Sequence, residues 1–307
     1  MTTWLVTHPA CLGHDAGDGH PESPERLRAI LRALEDPTFE FVLREQAPRA
    51  SVAQLELAHD PEHVRSVLDA VPETGHAPFD PDTRLGPGSG EAALRAAGGV
   101  CHGVDGVLQG LAHRAFCAVR PPGHHAESDR AMGFCFFNNI AVGAAHAVAQ
   151  YGLERVAMVD FDVHHGNGTE QISRGRRGLY YFSTHQHPLF PGTGIPSADP
   201  PANIVNATLA EGDGSERFRA VFAEQILDRL DALRPELILV SAGFDAHRSD
   251  PLATLQLDES DFGWATRELV AIARRHCEGR VVSVLEGGYS LSAVGRCAAA
   301  HLEALMM

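Results

Sequence analysis

The stretch Val156-Ala157-Met158-Val159-Asp160-Phe161-Asp162-Val163-His164-His165-Gly166-Asn167-Gly168 begins as a short apolar run and turns abruptly polar. Residues 156–161 are too few for a helix and suit a strand buried on both faces. In an open parallel sheet, ligands bind outside the carboxyl ends of the strands, so chemistry is expected just beyond such a run. Asp160, Asp162 and His164 stand at i, i+2 and i+4; if the extended geometry continues, all three leave one face.

Comparable runs occur at residues 115–119, 179–182, 237–240 and 281–285. Between and around them lie segments of helical periodicity at 91–112, 138–150, 215–233, 259–277 and 292–305. Such alternation predicts an α/β fold, a parallel sheet with helices on both faces. Ser23-Pro24 reads as an N-cap with proline at the first helical position of a helix over 25–35, and Arg234-Pro235 closes the helix that starts at Ser215. No repeat or linker interrupts the chain, so its 307 residues read as one domain, 1–307.

Asp and Glu number 40 against 25 Lys and Arg, a formal net charge of -15. That balance supplies no basic surface for nucleic acid or an anionic membrane and favours cationic small molecules or peptides. The N-terminus lacks a basic segment followed by a long apolar one, and no apolar run approaches the roughly 20 residues of a membrane span. A cytoplasmic protein is expected. The six Cys form no CxxC pair and predict no disulfide framework.

The residues after the other strands complete a constellation. His124 and His125 follow the run at 115–119, Asp245 follows 237–240, and Glu286-Gly287-Gly288-Tyr289 follows 281–285. Asp162, His164 and Asp245 together offer two carboxylates and one imidazole, which leaves a position open for water as in a catalytic zinc site. The same set would also accept iron or cobalt. The tandem histidines would handle protons, with Asp160 orienting one of them. Tyr289 could donate a hydrogen bond to a developing oxyanion.

These segments also resemble a known family. Residues 20–27, Arg120-Pro121-Pro122-Gly123-His124-His125-Ala126, 133–139, 159–168, 190–194, 241–245 and 285–289 are similar, in order, to the motifs of the zinc-dependent histone deacetylases, most closely the class II-type and bacterial histone-deacetylase-like amidohydrolases. The resemblance implies an arginase-like fold with a central parallel sheet of about eight strands. It implies one catalytic Zn2+ on Asp162, His164 and Asp245, His125 as general base and acid, His124 acting mainly electrostatically with Asp160 behind it, and Tyr289 polarising the carbonyl. Phe134 and Phe190 match the aromatic walls of an acyl-chain channel, with Gly133 at its edge. A structural K+ is implied near the backbone of Asp160, Asp162 and His164 and the side chain of Ser183.

Behind His125 stands Asn167, where class I enzymes have an aspartate, so this histidine is expected to lack a second anionic partner and to have a lowered pKa. The implied reaction is hydrolysis of an acetyl-lysine side chain in a peptide or protein, or of an acetylated small amine. Acetylpolyamine members carry a glutamate where this chain has Leu252, which favours acyl-lysine, although Asp80, Asp82 and Glu91 are candidates for an acidic rim. An inactive acyl-lysine-binding module would lack a ligand or the tyrosine. A two-metal ureohydrolase would need further Asp and His ligands. Homo-oligomerisation could shape the channel mouth.

Overall fold

Eight short segments line up side by side as one sheet in the computed structural model, which describes residues 2–307. In chain order the strands are β1 (Thr3–Thr7), β2 (Leu43–Gln46), β3 (Ala77–Pro78), β4 (Arg84–Leu85), β5 (Arg114–Cys117), β6 (Val156–Asp160), β7 (Leu179–Gln186), β8 (Ile204–Leu209), β9 (Leu237–Ala242) and β10 (Val281–Leu285). All but β3 and β4, a small antiparallel pair, form one parallel sheet in the order β2-β1-β5-β10-β9-β6-β7-β8. The central strands β5, β6, β9 and β10 are buried at every position, which is why their sequences are runs and do not alternate.

The helices form where expected, with small shifts. Asn138 caps Asn139–Tyr151 by accepting the Ala141 N–H at 3.0 Å, and Asp258 caps Glu259–His276. Pro24 opens Pro24–Ala33 as predicted, but the Ser23 hydroxyl makes no capping bond. The segment expected as one helix over 215–233 is divided. A π-helical stretch, Phe222–Leu227, separates Ser215–Val221 from Asp228–Leu233, where Phe218 and Phe222 both pack on Trp264. The helix expected over 91–112 runs over Ser89–Leu108. All six cysteines are buried and free, and no helix among the described residues is long and apolar enough to cross a membrane.

The four strands that precede the polar constellation, β5, β10, β9 and β6, are consecutive neighbours at the centre of the sheet. Their carboxyl-terminal loops therefore open side by side into one crevice.

Candidate active site

At the end of β6 the extended geometry stops, contrary to the sequence expectation. The strand ends at Asp160, and side-chain carboxylates shape the loop that follows. Asp160 Oδ1 accepts the Asp162 N–H at 3.1 Å, and Asp162 Oδ1 accepts the His164 N–H at 2.8 Å. Asp245, delivered by β9, accepts the Val163 N–H at 2.9 Å. Backbone capture, not strand alternation, thus aims Asp162, His164 and Asp245 at one point.

The His164 Nδ1 lies 3.1 Å from Asp162 Oδ1 and 3.1 Å from Asp245 Oδ2. A tetrahedral ion with N and O ligands about 2.0–2.2 Å away holds those ligands roughly 3.3–3.6 Å apart, so the donor set is close to the spacing of zinc. The two carboxylates are fully buried and His164 nearly so, and among the described residues the ion-pair partners of the carboxylates are imidazoles. Burial and the facing Asp162 carboxylate push the Asp245 carboxyl above the usual carboxylate range, with His164 opposing the shift. His247, Glu259 and Cys297 form a second such grouping. There, however, His247 Nδ1 accepts the Ser249 N–H at 3.1 Å. A neutral His247 then carries its proton on Nε2, the atom facing Glu259, and has no lone pair to give a metal.

His124 and His125 are brought in by the loop after β5, their rings 4.0 Å apart. His124 Nδ1 is 3.1 Å from Asp160 Oδ2, and His125 Nδ1 is 2.9 Å from Asn167 Oδ1. Burial disfavours charge on His124, but the carboxylates of Asp162 and Asp160 outweigh it and raise the ring to about 10. Burial, together with the positive charge of the adjacent His124, holds His125 well below the usual histidine range. Two adjacent imidazoles are thus split into a charged and a neutral one.

Above these groups opens a cavity of about 230 Å³ lined by Gly133, Phe134, Leu189, Phe190, Leu252 and Tyr289, with His125 and His164 at its base. All four residues expected in the channel are there. Phe134 meets Tyr289 edge-on at 5.9 Å, and Phe190 meets His125 edge-on at 5.1 Å. Phe190 is 47% exposed and forms the outer lip. Gly133 has φ 57°, and a β-carbon there would run into the His125 ring. Asp80 and Asp82 do line the mouth. Glu91 does not; it pairs with Arg49 and Arg95 on the helix Ser89–Leu108. Ser183 sits on β7 opposite Asp160, its hydroxyl 2.9 Å from His185 Nδ1.

Several residues at this site were given no role from sequence. Glu286, fully buried, accepts the N–H groups of Gly123 (2.6 Å) and His124 (3.1 Å) and the Ser241 hydroxyl (3.0 Å), so it ties together three strand-end loops. Its position directly after the run at 281–285 was the available signal. Arg26 donates to the Gly288 carbonyl at 2.6 Å and lies over the Tyr289 ring at 4.7 Å. The Glu22 carboxylate pairs with both Arg26 and Arg120 inside the protein. Burial opposes its charge, yet Arg120, His14 and Arg26 hold it well below the usual range. Asp250 accepts the Tyr289 N–H at 2.7 Å.

A parallel α/β sheet whose central loops converge two carboxylates, an imidazole and a histidine pair beneath an aromatic-walled cavity defines a hydrolase of the arginase-like fold. Residues 20–305 match the histone deacetylase domain, and the chain belongs to the histone deacetylase family. It is 40% identical to a histone deacetylase-like amidohydrolase of Pseudomonas aeruginosa, over 94% of this chain and 78% of that protein. It is 38% identical to a probable deacetylase of Archaeoglobus fulgidus, over 95% of this chain and 82% of that one. A type-2 histone deacetylase 2 of Dictyostelium discoideum is 34% identical over 99% of this chain, which spans only 21% of that relative's length. The crystal structure of the HDA15 HD domain superposes with a TM-score of 0.93 at 33% identity, covering 99% of this chain and 88% of that one.

Proposed function

We propose that this protein is a zinc-dependent deacylase that hydrolyses linear N-acyl amines, with acetyl-lysine side chains as the first substrate class. The observation that carries the reading is the narrow cavity ending on His125 and His164, with Tyr289 on its wall. An ion held by Asp162, His164 and Asp245 would act as a Lewis acid toward water and the acyl carbonyl. His125, kept neutral, takes a proton from the attacking water as its oxygen adds to the carbonyl carbon. The same imidazole returns that proton to the amine nitrogen as the C–N bond breaks. His124, paired with Asp160, stays cationic and stabilises developing negative charge. The Tyr289 hydroxyl donates to the carbonyl oxygen. Phe134, Phe190 and Gly133 enclose the methylenes, each buried CH2 contributing about 0.8 kcal/mol. No covalent enzyme intermediate is needed.

The resemblance also supports a structural K+ held by the backbone of Asp160, Asp162 and His164 and by Ser183, and a cytoplasmic location. One observation favours a second reading: Asp80 and Asp82 at the mouth would pair with the distal ammonium of an acetylated polyamine. A side-by-side turnover assay on an acetyl-lysine peptide and on N-acetylputrescine tests the choice. A higher kcat/KM on the peptide is expected from Leu252 in the wall. A preference for the polyamine would overturn the acyl-lysine assignment, and inactivity on both would overturn the deacetylase reading.

A further inference from the structure

Behind His125 the hydrogen-bond chain continues past Asn167. Asn167 Nδ2 donates to the Glu127 carboxylate at 2.8 Å. The same nitrogen faces two weaker acceptors, the His125 carbonyl and Met132 Sδ, each at 3.3 Å. An ionised carboxylate accepts hydrogen bonds and cannot donate, so Glu127 selects which end of the amide it meets. With the nitrogen turned to Glu127, Oδ1 is left for the imidazole 2.9 Å away, and that contact requires a proton on His125 Nδ1. The lone pair is then on Nε2, the nitrogen free to act as base in the cavity that His125 lines. The anion expected to be missing behind His125 is present, one side chain further out.

We propose that Glu127 is a positioning residue for the proton-carrying imidazole, holding His125 in the Nδ1–H tautomer through the Asn167 amide. The inference rests on the reading of His125 as the proton carrier. Glu127 is itself fixed: its N–H donates to the Arg130 carbonyl at 2.9 Å, and its carbonyl lies 2.9 Å from His59 Nδ1. Its carboxylate is 3.1 Å from Arg130, and the side chain is 21% exposed, so a substitution there does not open the core.

Reversing the polarity of the chain tests this. Glu127→Lys puts a donor where only an acceptor stood, which turns Asn167 Oδ1 outward, presents Nδ2 to His125 and moves the imidazole proton to Nε2. A fall in kcat of about 30–100-fold with KM within about twofold is expected on an acetyl-lysine peptide. Adding Asn167→Asp restores an acceptor that serves both the introduced ammonium and the imidazole Nδ1–H, and should bring kcat back to within about fivefold. Glu127→Gln keeps an acceptor oxygen and should stay within about threefold, whether or not the lysine variant folds. Ring 15N NMR should show His125 as Nδ1–H in the wild type and Nε2–H in Glu127→Lys. Unchanged kcat or an unchanged tautomer in Glu127→Lys, no recovery in the double variant, or a large loss in Glu127→Gln would overturn the proposal. A wild-type protein that turns over no acylated amine would sink the deacylase reading instead, and the NMR result would still decide the tautomer.

Discussion

Gly287 donates its N–H to Asp162 Oδ2 at 2.8 Å, so the loop that carries Tyr289 is fastened directly to a candidate metal ligand. A β-carbon at 287 would fall well inside contact distance of the carboxylates of both Asp245 and Asp162. Gly287→Ala should therefore spread the donor cluster while leaving the sheet intact. Zinc affinity measured by competition with a chelator should drop about 10–100-fold, with an unchanged far-UV spectrum. Wild-type affinity in this variant would show that the loop yields without disturbing the ligands.

Tyr289→Phe removes the hydroxyl but keeps the ring contacts with Arg26 and Phe134. Steady-state kinetics should show kcat reduced about 100–1000-fold, as for loss of an oxyanion donor, with KM little changed and the melting temperature preserved. A loss confined to KM would mean that the phenol binds substrate without assisting the chemistry.

Leu252 shares the cavity mouth with Asp80 and Asp82. Leu252→Glu adds a third carboxylate there and should shift the ratio of kcat/KM for N-acetylputrescine over acetyl-lysine peptide upward by about tenfold, about 1.4 kcal/mol of discrimination. That shift should shrink at high salt, because rim charges are screened. No change would place the specificity elsewhere than at the rim.

His301 is buried between the hydroxyls of Ser283 (2.7 Å) and Thr266 (2.6 Å), and burial lowers its pKa to about 3. The unfolded chain binds a proton below about 6.5 that the folded protein takes up only near 3, so stability present above pH 6.5 is lost as the pH falls toward 3. Between about pH 7 and about pH 5 this one group should cost about 2 kcal/mol. His301→Gln should escape that loss, so urea midpoints of wild type and variant should converge or cross on acidification. Parallel pH curves would contradict a neutral buried His301.

Much of the site was legible because each group follows an apolar run by only a few residues. The runs stood out because β5, β6, β9 and β10 are buried on both faces. The edge strands were not legible. β2 reads Leu-Arg-Glu-Gln and is mostly exposed, and β8 is interrupted by the half-buried Asn206 and Thr208, so neither makes a run. β1, the inner neighbour of β2, was missed as well, because it has only Trp4, Leu5 and Val6 between threonines. The residues that fix the catalytic loops in place were hidden for another reason. Glu286 meets Gly123, Glu22 meets Arg120 and Glu127 meets Asn167 across long sequence separations, and a single charge with a distant partner has no local pattern. Sequence spacing suggested that strand alternation aims Asp160, Asp162 and His164; carboxylate capture of the N–H two residues on aims them instead.

Acetate release from an acetyl-lysine peptide, by protein stripped with a chelator and then given one equivalent of zinc, is the most direct measurement. This chain contains no lysine, so every lysine in the assay comes from the substrate. Turnover should be absent in the stripped protein, return at one zinc per chain, and stay absent in Asp245→Asn. Equal turnover before and after stripping, or full activity in Asp245→Asn, would contradict catalysis at the Asp162, His164 and Asp245 centre.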